Sequence, residues 1–409
     1  MIRNIATLLS GNALSQAVNI LTILFVVTAL YTPEQFGRYA VVMAYVGILS
    51  SIACLRFELA IVSVPRESAA SNMTAVSLVT AACFSLLVLG MMHAASVLWG
   101  PGFLLGVSPA VIAILVFLKA GDQVFASVLY RRERYLSVSL LKLLQAAILF
   151  AGFYLAGQSG YGAMGLVIST LIAYAAFAIA GALACGLRRM LRGVRVSRMI
   201  ALARRNGDFV RFSTPQTLID NLLTNGLNFV LVGLAGPTVV GYFNFLLKTL
   251  KAPLALVFGA VSQVVFRHSA KFAGEPVKLG HELRRIARIA AAMLAVAFTT
   301  VIAIRLGFGY LAVPEEWAGL RDFLLPFAVW MLAPFLFSPF ATLPVVFGRQ
   351  KRFFQLATTF NLLSLAVLSL IMMHGNVATA FWIVGFASIP YFLAMNAWLL
   401  AVVDDAHAG

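Results

Sequence analysis

The sequence predicts an all-α polytopic membrane protein, with twelve transmembrane helices in two pseudo-symmetric six-helix lobes around a central cleft. Three observations predict it. First, 62% of the 409 residues are hydrophobic and 11% charged, with a mean hydropathy of +0.96; soluble domains average about 25% charged and 45–50% apolar residues. Second, the apolar residues gather into twelve runs long enough to cross a bilayer. Third, the last six runs echo the first six. The apolar excess alone excludes a cytosolic enzyme, a secreted domain and a nucleic-acid-binding protein, because no compact soluble fold hides so much apolar surface.

In chain order the runs are 5–31, 38–63, 73–99, 105–129, 136–157, 161–187, 213–235, 239–265, 286–309, 322–347, 353–373 and 377–403. Each meets the roughly 20 helical residues that a crossing needs. Turn signals separate several of them, such as Gly157-Gln158-Ser159-Gly160 and His374-Gly375-Asn376. The first run follows a single cation, Arg3, and lacks a small-residue cleavage pattern, so it reads as a retained helix and not a signal peptide. Cys54, Cys83 and Cys185 lie inside apolar runs without ligand spacing, which argues against a disulfide framework or a metal site. No phosphate-binding glycine loop, zinc spacing or Ser/His/Asp constellation is present. The chain is therefore read as a non-enzyme, with no cofactor and no catalytic residue.

The cations set the orientation. With the N-terminus in the cytoplasm, the inner loops carry Arg3, Arg66, Arg131, Arg132 and Arg134, eight arginines between Arg188 and Arg211, six cations from Arg267 to Arg288, and Arg349, Lys351 and Arg352. The outer loops carry only Arg38, Arg305 and Arg321. The positive-inside rule then puts both termini in the cytoplasm. It also accounts for most of the +16 net charge without any nucleic acid. In the longest inner loop, Arg188, Arg192, Arg195 and Arg198 recur every three or four residues, with Leu191, Val194 and Met199 between them. That pattern fits a short cationic helix on the anionic inner leaflet, beside the plainer reading of a solvated linker. Three regions follow: an N-terminal lobe over 1–187, a cationic linker over 188–212 and a C-terminal lobe over 213–409.

The halves match without gaps at a shift of 204 residues, which superposes Pro33 on Pro237, Gly37 on Gly241, Tyr39 on Phe243 and Gln16 on Asp220. At a shift of 218, Arg131-x-x-Arg134-Tyr135 falls on Arg349-x-x-Arg352-Phe353. Six spans per half in one orientation make this a parallel repeat about an axis along the membrane normal, an architecture of alternating-access carriers.

Eight ionisable side chains fall within the runs: Arg56, Glu58, Lys119, Asp122, Lys142, Asp220, Lys248 and Lys251. Each is costly in lipid and normally faces protein or a wet cavity. Five are cations and three are anions, so a cavity lined by them would be net positive. Lys119 lies about 15 Å from its helix end at 1.5 Å per residue, too deep to snorkel. Lys248 and Lys251 are equally deep, and their spacing puts both on one α-helical face. Lys119 and Asp122 share that spacing and could pair, so a structural ion pair reads Asp122 as well as function does. Lys142 is shallow enough to snorkel. Arg56 and Glu58, two residues apart on a helix, would point to different sides. Asn12, Gln16 and Asn19 form one polar stripe, and Asp220, Asn221, Thr224, Asn225 and Asn228 another. Such stripes can join helices, but their matching positions in the two halves suggest that both line the cleft.

The runs Gly11-Asn12-Ala13-Leu14-Ser15-Gln16, Pro33-Glu34-Gln35-Phe36-Gly37-Arg38-Tyr39 and Leu55-Arg56-Phe57-Glu58-Leu59-Ala60 resemble the polysaccharide-transporter family. So do Phe212-Ser213-Thr214-Pro215-Gln216, the turn Gly236 to Gly241, and Lys248 to Pro253. That family includes the Wzx-type oligosaccharide and O-antigen flippases of the MATE-like exporter superfamily. The resemblance implies a bacterial inner-membrane protein that moves a polyprenyl-pyrophosphate-linked oligosaccharide to the outer leaflet. Its partners would be that lipid, membrane lipids, polysaccharide assembly proteins and a coupling proton or sodium ion. Arg56, Lys119, Lys248, Lys251, Asn12 and Gln16 are the expected substrate contacts; Glu58, Asp122 and Asp220 are expected to balance charge or carry the coupling ion. A MATE-type drug or cation antiporter is the rival within the superfamily, although organic cations favour an acidic cleft. A polymerase or ligase would need a large outer loop, and none is expected here.

Overall fold

The computed structural model describes residues 2–100, 102, 105–271, 276–310, 313–347 and 349–405. The side chains of Arg3, Arg267, Lys271, Lys278 and Lys351, counted above among the inner cations, lie outside the described residues. Among the described residues no strand is present. Eleven helical runs are long and apolar enough to cross a membrane, and one of them, Phe209–Gly259, has 51 residues. At 1.5 Å per residue that run is more than twice a hydrocarbon core. It is two spans joined where Gly236 leaves the helix at φ 82°, ψ 169° and Pro237 restarts it. The polytopic all-α class and roughly twelve spans are thus as the sequence predicts.

The chain forms two compact units, Met1–Val232 and Gly233–Gly409. The first holds α1 (Ile2–Leu21), α2 (Pro33–Ala53), α3 (Phe57–Ser63), α4 (Glu67–Trp99), α5 (Pro109–Arg131), α6 (Tyr135–Gln158) and α7 (Gly162–Cys185). After these come α8 (Leu187–Leu191), α9 (Val196–Arg205) and α10 (Thr214–Asn225). Small residues let these helices pack closely, as in membrane bundles generally. A Cβ on Gly11 would come within 2.3 Å of Ser139 Cβ, and one on Gly152 within 2.7 Å of Ser169 Cβ. Thr32 caps α2: its hydroxyl accepts from Gln35 N at 3.2 Å while Thr32 N donates to the Gln35 side chain at 3.1 Å, with Pro33 opening the helix. Pro33 of the repeat therefore serves as a helix start. Tyr39, a turn further on, shares a 3.1 Å hydrogen bond with Thr170 and packs edge-on against Phe153.

The arginines of the 131–134 motif close this unit at one end. Arg131 donates to the carbonyls of Ile61, Val62, Val64 and Pro65, and its Nε to Glu67 at 3.1 Å. Arg132 donates to Cys185 O at 2.6 Å and to Glu67, and Arg134 to Ala184 O at 2.9 Å. Cations thereby meet the orphan carbonyls that end α3 and α7. The cationic linker is helical over α9, where every arginine is exposed along with Val196 and Ile200. Arg195 N ties its start to Asn72 Oδ1 at 3.0 Å.

After α11 (Leu227–Leu246), the second unit holds α12 (Ala252–Lys271), α13 (Pro276–Leu306), α14 (Leu320–Leu332), α15 (Gln350–His374) and α16 (Val377–Asp405). The run expected as one helix over 322–347 is instead α14 followed by short turns at Ala333–Leu336, Ser338–Phe340 and Leu343–Val346. Pro334, Pro339 and Pro344 each open one of these turns, where the missing N–H costs least. Phe243, the counterpart of Tyr39 in the repeat, is 1% exposed and packs against Phe327 and Phe381.

Candidate functional site

The second apolar run is interrupted within its length. Leu55 and Arg56 both take positive φ, 51° and 62°, a region that costs a residue with a Cβ about 1–2 kcal/mol. A pair of turn bonds, Leu55 N to Ile52 O at 2.8 Å and Phe57 N to Cys54 O at 3.0 Å, carries the chain across the break from α2 to α3. The break follows directly on the candidate span Pro33–Ala53, and irregular backbone in a membrane protein is tolerated where it lines a cavity. This one does line a cavity. Its volume is about 670 Å³, and Arg56, Glu58, Lys119, Asp122, Lys142 and Gln145 are among its walls, with Tyr130 and Tyr174.

The break corrects one expectation. Arg56 and Glu58 do not point apart: Arg56 Nη1 lies 3.1 Å from Glu58 Oε1. The separation expected for helical neighbours fails because the backbone between them is not helical. The pair is close but poorly aligned, and Arg56 Nε and both Glu58 oxygens, all buried, lack a hydrogen-bond partner. Lys119 and Asp122 do not pair either; the ion pairs of the described residues are Arg38–Glu34, Arg56–Glu58, Arg131–Glu67 and Arg132–Glu67. Asp122 Oδ2 instead accepts from Gln145 Nε2 at 3.1 Å, while its Oδ1 is buried and unpartnered. Lys142 does not snorkel. Its Nζ donates to Asn12 Oδ1 at 3.1 Å, which brings the α1 stripe to the cavity wall through Asn12.

Four of the sequence-selected charges therefore meet in one cavity, and Asn12 touches its rim. Gln16 is half-buried on α1 and is not among the cavity residues. The predicted stripe divides: Asn221 and Asn225 face the cavity, joined by Thr217 one turn earlier, whereas Asp220 and Thr224 lie on the exposed face. Lys248 and Lys251 belong to the second unit. They sit in a π-helical stretch, Leu247–Lys251, whose i→i+5 turn has a different angular step from the α-helix on which their one-face placement was expected. Lys251 Nζ stands 5.7 Å from the Trp330 ring centre, a cation–π distance.

Sequence reasoning noted Lys142 but did not place it in the site, and it missed Gln145 and Tyr174. Lys142 and Gln145 are three residues apart on α6, a spacing that signals one polar face; nothing in the sequence marks Tyr174. The walls combine three cations, two carboxylates, amides and phenols. Such a set can hold an anion by charge-assisted hydrogen bonds and hydroxyl-rich groups by neutral ones.

Comparison with known proteins gives the fold and the family. The chain superposes on the lipid II flippase MurJ in an inward closed conformation with a TM-score of 0.64 at 12% identity, covering 97% of this chain and 89% of that one. An inward-facing multidrug resistance MATE family transporter of the MOP superfamily gives 0.58 at 15% identity, covering 94% and 95%. A eukaryotic MATE transporter, AtDTX14, gives 0.55 at 15% identity, covering 100% and 99%. At these identities the likeness is one of fold. No curated protein sequence matches. A sequence family described as polysaccharide biosynthesis protein matches residues 5–316. The chain, with its MATE-like bundle of membrane helices, belongs to the polysaccharide biosynthesis protein family.

Proposed function

We propose that the protein is a flippase. It moves a polyprenyl-pyrophosphate-linked oligosaccharide from the cytoplasmic to the outer leaflet of a bacterial inner membrane by alternating access, for assembly of a surface polysaccharide such as O-antigen in lipopolysaccharide. The observation that carries this reading is the Lys119 ammonium, which no salt bridge ties down. It lines a cavity that also holds Arg56 and Lys142. A diphosphate leaving water needs fixed cationic donors, and the glycan needs amide and hydroxyl partners. The cavity offers both, while the prenyl tail stays in lipid. Family membership supports the polysaccharide cargo. Lys248 and Lys251 are proposed as further anion contacts; Glu58, Asp122 and Asp220 as charge balance or as carriers of a proton or sodium ion.

Deletion of the gene, followed by extraction of lipid-linked intermediates, tests the reading. Loss should trap undecorated repeat units on the inner leaflet and remove surface glycan. Complementation with Lys119→Met should restore transport about 10- to 100-fold less well than wild type at equal membrane abundance, the loss expected for a charged hydrogen bond. Lys248→Ala and Lys251→Ala should also impair export. Intact glycan with raised drug sensitivity would select a drug or cation antiporter instead.

A further inference from the structure

A second arginine-lined hollow lies at the C-terminal end of α7, outside the site above. Its volume is about 670 Å³, and Arg132, Arg134, Arg188, Arg189 and Arg192 line it together with Leu183. The arginines divide by task. Arg132 and Arg134 are occupied by the terminal carbonyls of α7 and by Glu67. They cancel the negative pole that a helix end would otherwise present. Arg188, Arg189 and Arg192 are exposed, and their side chains make no hydrogen bond or ion pair among the described residues. The hollow contains no carboxylate in its lining. Three free guanidinium groups around one recess fit a phosphate oxyanion, which accepts their paired donors.

The surface leading to the hollow identifies the source of that phosphate. Ile168, Ile172, Ile179 and Leu183 are 45%, 52%, 63% and 77% exposed. Their spacing puts them along one side of α7, ending at the hollow. An apolar track about one leaflet long that stops at a ring of cations has the layout of a phospholipid, with acyl chains on the track and headgroup in the recess. We propose that this hollow binds the phosphodiester headgroup of an anionic phospholipid, so that the protein carries a specific annular lipid at the foot of α7.

The test uses the full-length protein in neutral-detergent micelles. Dioleoylphosphatidylglycerol or dioleoylphosphatidylcholine is titrated in, and bound lipid is read by native mass spectrometry. The wild type should bind the anionic lipid about tenfold more tightly than the zwitterionic one, and the triple variant R188Q/R189Q/R192Q should lose that preference. A matched control, R198Q/R204Q/R205Q, removes three exposed charges of α9 outside the hollow and should keep it. Equal preference in the first variant and the wild type would overturn the proposal. So would equal loss in both triple variants, which would mean diffuse charge attraction. Displacement of the lipid by equimolar inorganic phosphate would also overturn it, by showing a free-phosphate site.

Discussion

Arg56 and Glu58 show how much of this site depends on two side chains that hold each other imperfectly. Their side chains are 26% and 5% exposed, and their 3.1 Å approach leaves three buried polar atoms without a hydrogen bond. A buried ion pair of this kind adds little net stability, because desolvation offsets the attraction; deleting one member is costly, because the other is left uncompensated. The prediction is a non-additive cycle. Arg56→Ala should lower the unfolding free energy by about 3 kcal/mol, whereas Arg56→Ala with Glu58→Gln should recover most of that loss. Thermal unfolding of the purified variants in detergent measures it, and additive losses would show that the two charges do not interact. The same looseness suits a binding site: an incoming phosphate can take Arg56 by displacing a carboxylate that was never well bonded. Lys119 needs no such exchange, which is why it carries the anion reading and the Arg56–Glu58 pair only modulates it.

At the scale of elements, two backbone breaks shape the molecule, and only one was legible in the sequence. Gly236 and Pro237 announce their turn, since Gly236 adopts φ 82°, ψ 169°, a region essentially reserved for glycine, and proline reopens the helix. Gly236→Ala should therefore cost about 1–3 kcal/mol even though an added Cβ would meet nothing within 4 Å. A variant as stable as wild type in a detergent melt would mean that the turn relaxes freely. The break at Leu55 and Arg56 contains neither glycine nor proline, so local propensity gives no sign of it. Its left-handed residues are held by tertiary context, and the sole hint was a pair of charges inside an apolar run. That hint found the residues but misjudged their geometry, because a face argument assumes an unbroken helix. The face argument for Lys248 and Lys251 rests on the same assumption, and these residues lie in a π-helical turn with a different angular step. Spans, by contrast, were legible because the bilayer imposes a length and polarity that no packing detail overrides.

For the whole molecule the strongest constraint is the asymmetry of charge. On the twelve-span reading of the sequence, twenty-two cations would fall in loops on one side and three on the other. Eight of the twenty-two lie between Arg188 and Arg211, where α9 presents its arginines without acidic partners. Insertion with those residues outside would work against both the positive-inside bias and an inward-negative membrane potential. The expected topology therefore puts the α8–α9 segment in the cytoplasm and the turn after α6 outside. Single cysteines report this directly in a background where Cys54, Cys83 and Cys185 are serine; of these only Cys83 is exposed. Ser159→Cys, at the exposed end of α6, should react with a membrane-impermeant thiol reagent in intact cells or spheroplasts. Ser197→Cys, exposed in α9, should react only after permeabilisation. The reversed pattern would invert the molecule and, with it, the direction of transport. Labelling of both from one side would contradict the odd number of crossings, 161–187, that the sequence puts between them. The proposed flippase requires the first outcome, because its arginine-rich face must lie in the compartment where lipid-linked sugars are built.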